Sequence, residues 1–206
     1  MNSTNIGQAT LPVIEEFYTI QGEGFHTGRA AYFIRLAGCD VACPWCDTRQ
    51  AWSKNAGSPT NIHLLVKHAQ QQNANIVVIT GGEPCMHPLE PITQAVHDAG
   101  MRIHLETSGT YAISGSWDWI ALSPKPHREP LQQNLTIANE LKIVINSELD
   151  LRWAKQMATQ TNAACHLQLQ PEWAAREHSI PLAVEFVKRN PQWRISLQTH
   201  KFMQIP

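Results

Sequence analysis

Charge is scarce in this chain. Asp, Glu, Lys and Arg supply 16% of its 206 residues, and 16 basic against 17 acidic side chains leave a net charge of -1. No long run of Lys or Arg occurs, which argues against a dedicated nucleic-acid surface. No apolar stretch is long enough to span a bilayer. The opening, MNSTNIGQATLPVIEE, lacks both a basic segment and an apolar core, so it does not read as a secretory signal. Internal repeats and low-complexity tracts are missing too. The expectation is a soluble cytoplasmic protein. Cysteine is limited to five residues, and an odd set without a secretory signal speaks for a reducing compartment rather than a disulfide framework.

What is present suffices for a sizeable core: 43% of residues are hydrophobic, and the length fits a single domain over residues 1–206. Short β-branched runs read as strands at 31–36, 76–80, 102–106, 119–122, 141–145, 166–169 and 193–197. Helical patterns alternate with several of them. Thr60 is positioned to cap a helix bearing Ile62, Leu65, Val66 and Ala69; Pro88 opens a second that Gly100 closes. Ser147 with Asp150 forms a capping box for a third, bearing Leu151, Ala154 and Met157. A fourth carries Leu182, Ala183, Phe186 and Val187 and stops before Pro191. The alternation predicts an α/β fold with a parallel sheet. A full eightfold barrel takes about 250 residues, and 108–116 and 123–139 read as loops. The expected architecture is therefore a partial or trimmed (β/α) TIM-like barrel, with an open doubly wound sheet as the alternative.

Three of the five cysteines fall within eight residues, Cys39, Cys43 and Cys46, in GCDVACPWCDT. Clustered thiolates select zinc or an iron–sulfur cluster. Three thiolates on a 4Fe–4S cube leave one iron open to a substrate or cofactor atom. The alternatives are zinc with His26 or His63 as fourth ligand, and ordinary thiols. Cys85 and Cys165 read as small buried hydrophobes. The strand ends carry polar residues: Thr80-Gly81-Gly82-Glu83-Pro84, Glu106-Thr107-Ser108-Gly109, Ser123-Pro124-Lys125, Gln170-Pro171 and Gln198-Thr199-His200-Lys201. In a barrel such ends converge on one face, here over the cysteine loop. Arg35, inside the apolar run YFIRLAG, needs a partner. Trp45 reads as an apolar lid over the cysteine loop.

The cysteine spacing followed by TGGEP resembles the radical S-adenosylmethionine (SAM) superfamily. From about Glu16 to Pro206 the resemblance narrows to the 7-carboxy-7-deazaguanine synthases, carried by TIQGEGFHTGRAAYFIRLAGC, the CDT after the third cysteine, VVITGGEPC, LETSG, LSPK, NELKIVI, LQLQP and WRISLQTHKFMQIP. It implies a radical SAM enzyme that contracts 6-carboxy-5,6,7,8-tetrahydropterin to 7-carboxy-7-deazaguanine with loss of ammonia, in queuosine biosynthesis. The implied mechanism begins with hydrogen abstraction from substrate C6.

By the same resemblance, Cys39, Cys43 and Cys46 hold a 4Fe–4S cluster. Gly82, Ser123, Pro124, Lys125, Gln170, Pro171, Glu172 and Trp173 line SAM, the last two through backbone atoms. Thr48 ligates Mg2+, with Asp47 as a neighbouring alternative. Ile20, Gln21, Gly22, Arg35, Thr80 and the carboxylate of Pro206 meet the substrate, with Glu23 at the pterin edge and His200 and Lys201 placing the tail or the substrate. Burial of Phe202 and Ile205 is expected to pin that tail. The implied partners are a small-molecule pterin, an electron donor such as flavodoxin or ferredoxin, and a second copy in a homodimer; no nucleic acid and no membrane. A radical SAM activase acting on a partner protein and a zinc-binding interaction module are the rivals.

Overall fold

The computed structural model describes residues 8–206. Contacts divide it into two compact units, one containing residues up to Thr19, Ala30–Thr107 and Ile113–Asp118, the other Ile20–Arg29, Ser108–Ala112 and Trp119–Pro206.

The first unit contains β1 (Thr10–Ile20, its last residue crossing into the second unit), β2 (Ala30–Leu36), β3 (Ser58–Asn61), α1 (Ile62–Gln71), β4 (Ile76–Gly81), α2 (Glu90–Asp98) and β5 (Arg102–Thr107). Its strand order is β3-β1-β2-β4-β5. β2, β4 and β5 run parallel, with Arg35 opposite Thr80. Ile76 to Thr80 are buried in succession, as a strand covered on both faces requires. On one face Ala31, Phe33, Ile76 and Val78 form a cluster with Phe17, whose ring stacks on Phe33 at 5.3 Å. Helix α1 buries Ile62, Leu65, Val66 and Ala69, as the spacing predicts, but its cap is Asn61, whose side chain accepts from the His63 amide at 2.9 Å. Thr60 belongs instead to β3. Helix α2 begins at Glu90, two residues after Pro88, with Pro91 in its first turn, and Gly100 closes it at φ +75°.

The second unit contains β6 (Trp119–Leu122), α3 (Gln132–Ile137), β7 (Glu140–Ile145), α4 (Glu148–Ala158), β8 (His166–Pro171), α5 (Arg176–Arg189), β9 (Trp193–Ile195) and α6 (Thr199–Met203). Its order is β6-β7-β8-β9, all parallel. Neither order returns on itself, so neither unit is a closed barrel. Helix α3 corrects the expectation of a bare loop over 123–139. It is tied down by Asn134, whose amide donates to the carbonyls of Gly109 and Tyr111 at 2.7 Å each. The Ser147–Asp150 capping box forms as expected.

Alternation along β7 and β8 separates two faces. Leu141, Ile143, Ile145 and Leu169 join Leu151, Ala154, Ala183, Phe186 and Trp193 in an apolar core under α4 and α5. The intervening residues Glu140, Lys142, Gln168 and Gln170 are also buried, and all are polar. A buried polar face needs partners. The segment Ile20–Arg29 supplies those of Glu140 and Lys142, and the Ser196 hydroxyl reaches Gln170 at 3.4 Å. The Gly24 amide donates to Ser196 Oγ at 2.8 Å and the Phe25 amide to Glu140 at 3.1 Å. Glu23 pairs with Lys142 and accepts from Gln198 Nε2 at 2.7 Å. Burial alone would raise the Glu23 pKa. The Lys142 charge and the hydrogen bonds from Lys142 and Gln198, aided by His200, outweigh burial and hold it below the usual carboxylate range.

The side chains of Lys142 and Glu23 are only 8% and 18% exposed, and removing one partner of such a pair costs about 3–5 kcal/mol. Lys142→Met is expected to lose stability on that scale at neutral pH. A carboxylate with a depressed folded pKa stabilises above its unfolded value of about 4.3 and loses that contribution as pH falls through the folded value. The stability gap between wild type and Lys142→Met should therefore narrow below about pH 4. Urea midpoints from pH 3 to 7 check this; a gap constant with pH would show that the pair does not set the energetics.

Candidate functional site

The parallel strands of the first unit bring their C-terminal ends to one edge, where the cysteine loop begins. Leu36 ends β2, and Gly38 and Cys39 follow. Their amides donate to the carbonyls of Ala51 and Trp52 at 2.8 and 3.0 Å, closing the loop between them. Within it the Cys46 amide donates to the Cys43 carbonyl at 3.1 Å, and Ala42 takes a left-handed backbone at φ 53°.

The turn after β4 seats this loop. Gly81 has φ +140°, and a Cβ there would run into the Leu36 backbone. A Cβ on Gly82 would strike the Gly38 carbonyl and fall within 2.8 Å of both the Ala51 oxygen and Cys39 Cβ. The Gly82 amide donates to the Leu36 carbonyl at 2.9 Å and the Glu83 amide to the Gly38 carbonyl at 2.7 Å. Gly82 is thus a packing requirement of the cysteine loop, a demand invisible in the sequence. Glu83 is 1% exposed. Its carboxylate accepts from the Cys85 amide at 3.0 Å and the Thr107 hydroxyl at 2.6 Å, which fixes the turn to the end of β5. His87 adds a bond of 2.7 Å to the Ala37 carbonyl.

The donor set fits a 4Fe–4S cube. Cys39, Cys43 and Cys46 are all half-buried, and none is in a disulfide. N–H groups point at two of the sulfurs. The Thr48 amide and the Trp52 indole N–H each reach Cys46 Sγ at 3.4 Å, and the Val41 and Ala42 amides act on Cys39. Burial pushes the Cys39 thiol up, and those two amides pull against it. Bound metal favours the thiolate. Among the described residues, no three His, Cys, Asp or Glu side chains converge as the ligands of one ion would. A cube instead takes one thiolate per iron. Burial raises Cys85 to about 12 and Cys165 to about 11, keeping both thiols protonated, as suits packing residues. His26 packs against the rings of Phe25 and Trp119, and His63 is exposed on the first turn of α1.

At the same edge, the Thr80 hydroxyl donates to Glu106 at 3.0 Å. Arg35 finds its partner on β1, where Glu15 accepts from Nε at 2.6 Å, with the Phe17 ring 5.9 Å below the guanidinium. Thr48 is half-buried, and its hydroxyl lies 3.1 Å from the Asp47 carboxylate.

The second unit gathers other expected residues at its own C-terminal strand edge. Lys125 folds back onto the Ser123 carbonyl and hydroxyl, and Pro124 is buried. Gln170 and Pro171 are buried. The Glu172 carboxylate accepts from the amides of Ala174 and Ala175 at 2.9 and 3.0 Å, so it closes the turn that leads into α5. Trp173 is bracketed by Arg176, Lys201 and the Phe202 ring. Gln21 is buried and accepts from the Glu23 amide, while Ile20 is half-buried. A Cβ on Gly22 would run into the His200 ring, and the Gly22 carbonyl accepts from Thr199 through both amide and hydroxyl.

The C-terminal expectation needs correction. Phe202 is 56% exposed, not buried, because α6 turns only its Trp173-facing edge inward. Ile205 is half-buried, held by its amide bond to the His200 carbonyl at 3.2 Å, and Pro206 is exposed. Lys142 and Trp52 escaped the sequence reading. Lys142 was signalled by its place in an apolar strand, the same signal that drew attention to Arg35.

If Gly82 seats the cysteine loop, Gly82→Ala should lower iron incorporation on anaerobic reconstitution by half or more while far-ultraviolet circular dichroism stays near wild type. Full iron content in this variant would show that the contact does not shape the loop.

Residues 33–122 match the radical SAM superfamily model. The chain is 45% identical to a 7-carboxy-7-deazaguanine synthase of Flavobacterium psychrophilum, over 95% of this chain and 93% of that protein. It is 42% identical to one from Synechocystis, covering 95% and 94%, and 36% identical to one from Escherichia coli K12, covering 94% and 98%. A crystal structure of QueE from Escherichia coli superposes with a TM-score of 0.86 at 33% identity, covering 97% of this chain and all of that one. The α/β fold is of the radical SAM type, and the chain belongs to the 7-carboxy-7-deazaguanine synthase family of the radical SAM superfamily.

Proposed function

We propose that the chain acts as one radical SAM domain that converts 6-carboxy-5,6,7,8-tetrahydropterin to 7-carboxy-7-deazaguanine with release of ammonia, a step toward queuosine. The observation that carries this reading is the three-cysteine loop seated on the Gly82–Glu83 turn in a chain matched over nearly its full length by synthases of that name. When bound, the cluster and SAM together supply one-electron radical chemistry; the protein supplies position and shielding.

Cys39, Cys43 and Cys46 hold the cluster. The backbone at Gly82 and the segments Ser123–Lys125 and Gln170–Pro171 serve SAM. The turn-closing bonds of Glu172 and the ring contacts of Trp173 support a positioning role for both. Arg35 gives its Nε edge to Glu15, and its Nη pair forms the fork that suits a substrate carboxylate. The Thr80 hydroxyl, Ile20, Gln21, Gly22 and Glu23 read the pterin, with the Pro206 carboxylate as a further acceptor. Glu23, kept ionised by Lys142, accepts hydrogen bonds from a donor edge. Thr48 and its neighbour Asp47 offer two oxygens to Mg2+, which prefers oxygen ligands and keeps several waters. A low-potential flavodoxin or ferredoxin delivers electrons, the enzyme works in the cytoplasm, and it pairs as a homodimer.

The test is an anaerobic assay of the reconstituted protein with the pterin, SAM, Mg2+ and a chemical reductant. Product formation is expected in wild type, Cys85→Ala and Cys165→Ala. Cys39→Ala, Cys43→Ala and Cys46→Ala should each lose both SAM cleavage and product. SAM cleavage without deazapurine product would point to the activase reading. Full activity in any of the three ligand variants would remove the cluster assignment.

A further inference from the structure

Trp52 lies outside the three-cysteine motif, yet it is fastened to that motif at three points. Its carbonyl accepts the Cys39 amide at 3.0 Å. Its indole Nε1–H donates to Cys46 Sγ at 3.4 Å. The Arg49 guanidinium lies 5.7 Å from its ring centroid, and Arg49 Nη2 donates to the Pro44 carbonyl at 2.6 Å, between the second and third cysteines. The backbone at Trp52 is helical (φ -69°, ψ -39°), closing the short turn Arg49–Ala51, and its amide donates to the Arg49 carbonyl at 3.1 Å. With backbone, ring face and ring nitrogen all engaged, the indole has one place to point.

An indole nitrogen is a donor only. Aimed at a cluster ligand, it meets a sulfur whose electron density rises when the cluster takes up an electron. A hydrogen bond to that sulfur is therefore stronger in the reduced state, and hydrogen bonding to the sulfurs is among the factors that set a cluster's potential. The Thr48 amide reaches the same sulfur, but a backbone donor comes with the fold of the loop. Trp52 provides its donor from a side chain, so the choice of residue at this position tunes the site.

We propose that Trp52 raises the reduction potential of the cluster by hydrogen bonding to Cys46 Sγ, as a positioning residue that touches neither SAM nor substrate. This rests on the reading that Cys39, Cys43 and Cys46 hold a 4Fe–4S cluster. The role is distinct from that of Trp45, whose place inside the loop suits an apolar cover.

The experiment is a mediated potentiometric titration of anaerobically reconstituted wild type and Trp52→Phe, with dithionite as reductant and the reduced cluster followed by electron paramagnetic resonance. Phe keeps the ring beneath Arg49 and removes the N–H. The expected result is equal iron and sulfide content and a more negative midpoint in the variant. An unchanged or more positive midpoint at equal cluster content overturns the proposal. As a second measurement, wild type carrying 15N-labelled indole should show a nitrogen coupling to the reduced cluster by pulsed resonance. That coupling should be absent when only Trp52 is unlabelled. Its absence from the fully labelled protein also overturns the proposal, even if Trp52→Phe does not load iron. If wild type itself acquires no iron–sulfur chromophore, the underlying cluster reading fails, and this proposal with it.

Discussion

The contact between the Gly82 backbone and the Gly38–Cys39 backbone is the constraint on which the first unit's site depends. A side chain at 82 would occupy the space of the Gly38 carbonyl and Cys39 Cβ. The amides of Gly82 and Glu83 then bind the carbonyls on either side of Ala37. The Glu83 carboxylate carries the constraint onward, to Cys85 and to Thr107 at the end of β5. Two parallel strands and one buried carboxylate therefore fix where a loop with little regular structure must lie. Preorganisation of this kind suits a cluster that needs three thiolates presented together.

The second unit solves a different problem. The polar residues along one face of β7 and β8 would be unfavourable if left dry and unpaired. The segment Ile20–Arg29 meets Glu140 with the Phe25 amide and Lys142 with Glu23, the Ser196 hydroxyl reaches Gln170, and Gln198 and Thr199 bond to the segment in turn. Two glycines of this segment are demanded by sterics: His200 lies against Gly22 and Glu140 against Gly24. Lys142 and Glu23 stabilise one another where either alone would be a buried charge.

The parallel strands and four larger helices were legible because their apolar periods are clean, and the Ser147–Asp150 box marks the start of α4. β1 was not. Glu15 and Glu16 sit side by side in TLPVIEEFYTI and break its alternation; the structure reconciles them through Arg35, Tyr32 and His68. β3 is short and contains Pro59, which an edge strand tolerates. Helices α3 and α6 are too short for periodicity to show. At the site, the cysteines and the Gly-Gly-Glu turn announce themselves by spacing. The Trp52 bond to Cys46 depends on a side-chain direction, and the Phe202 exposure on how α6 meets Trp173, neither of which a linear pattern encodes.

The central claim is that three thiolates hold a 4Fe–4S cube with one iron open to SAM. Mössbauer spectroscopy of 57Fe-reconstituted protein, with and without SAM, tests it most directly. The account predicts cuboidal iron in the resting protein and a change at a single iron subsite when SAM is added. A spectrum indifferent to SAM, or iron bound without a cube's signature, would contradict it.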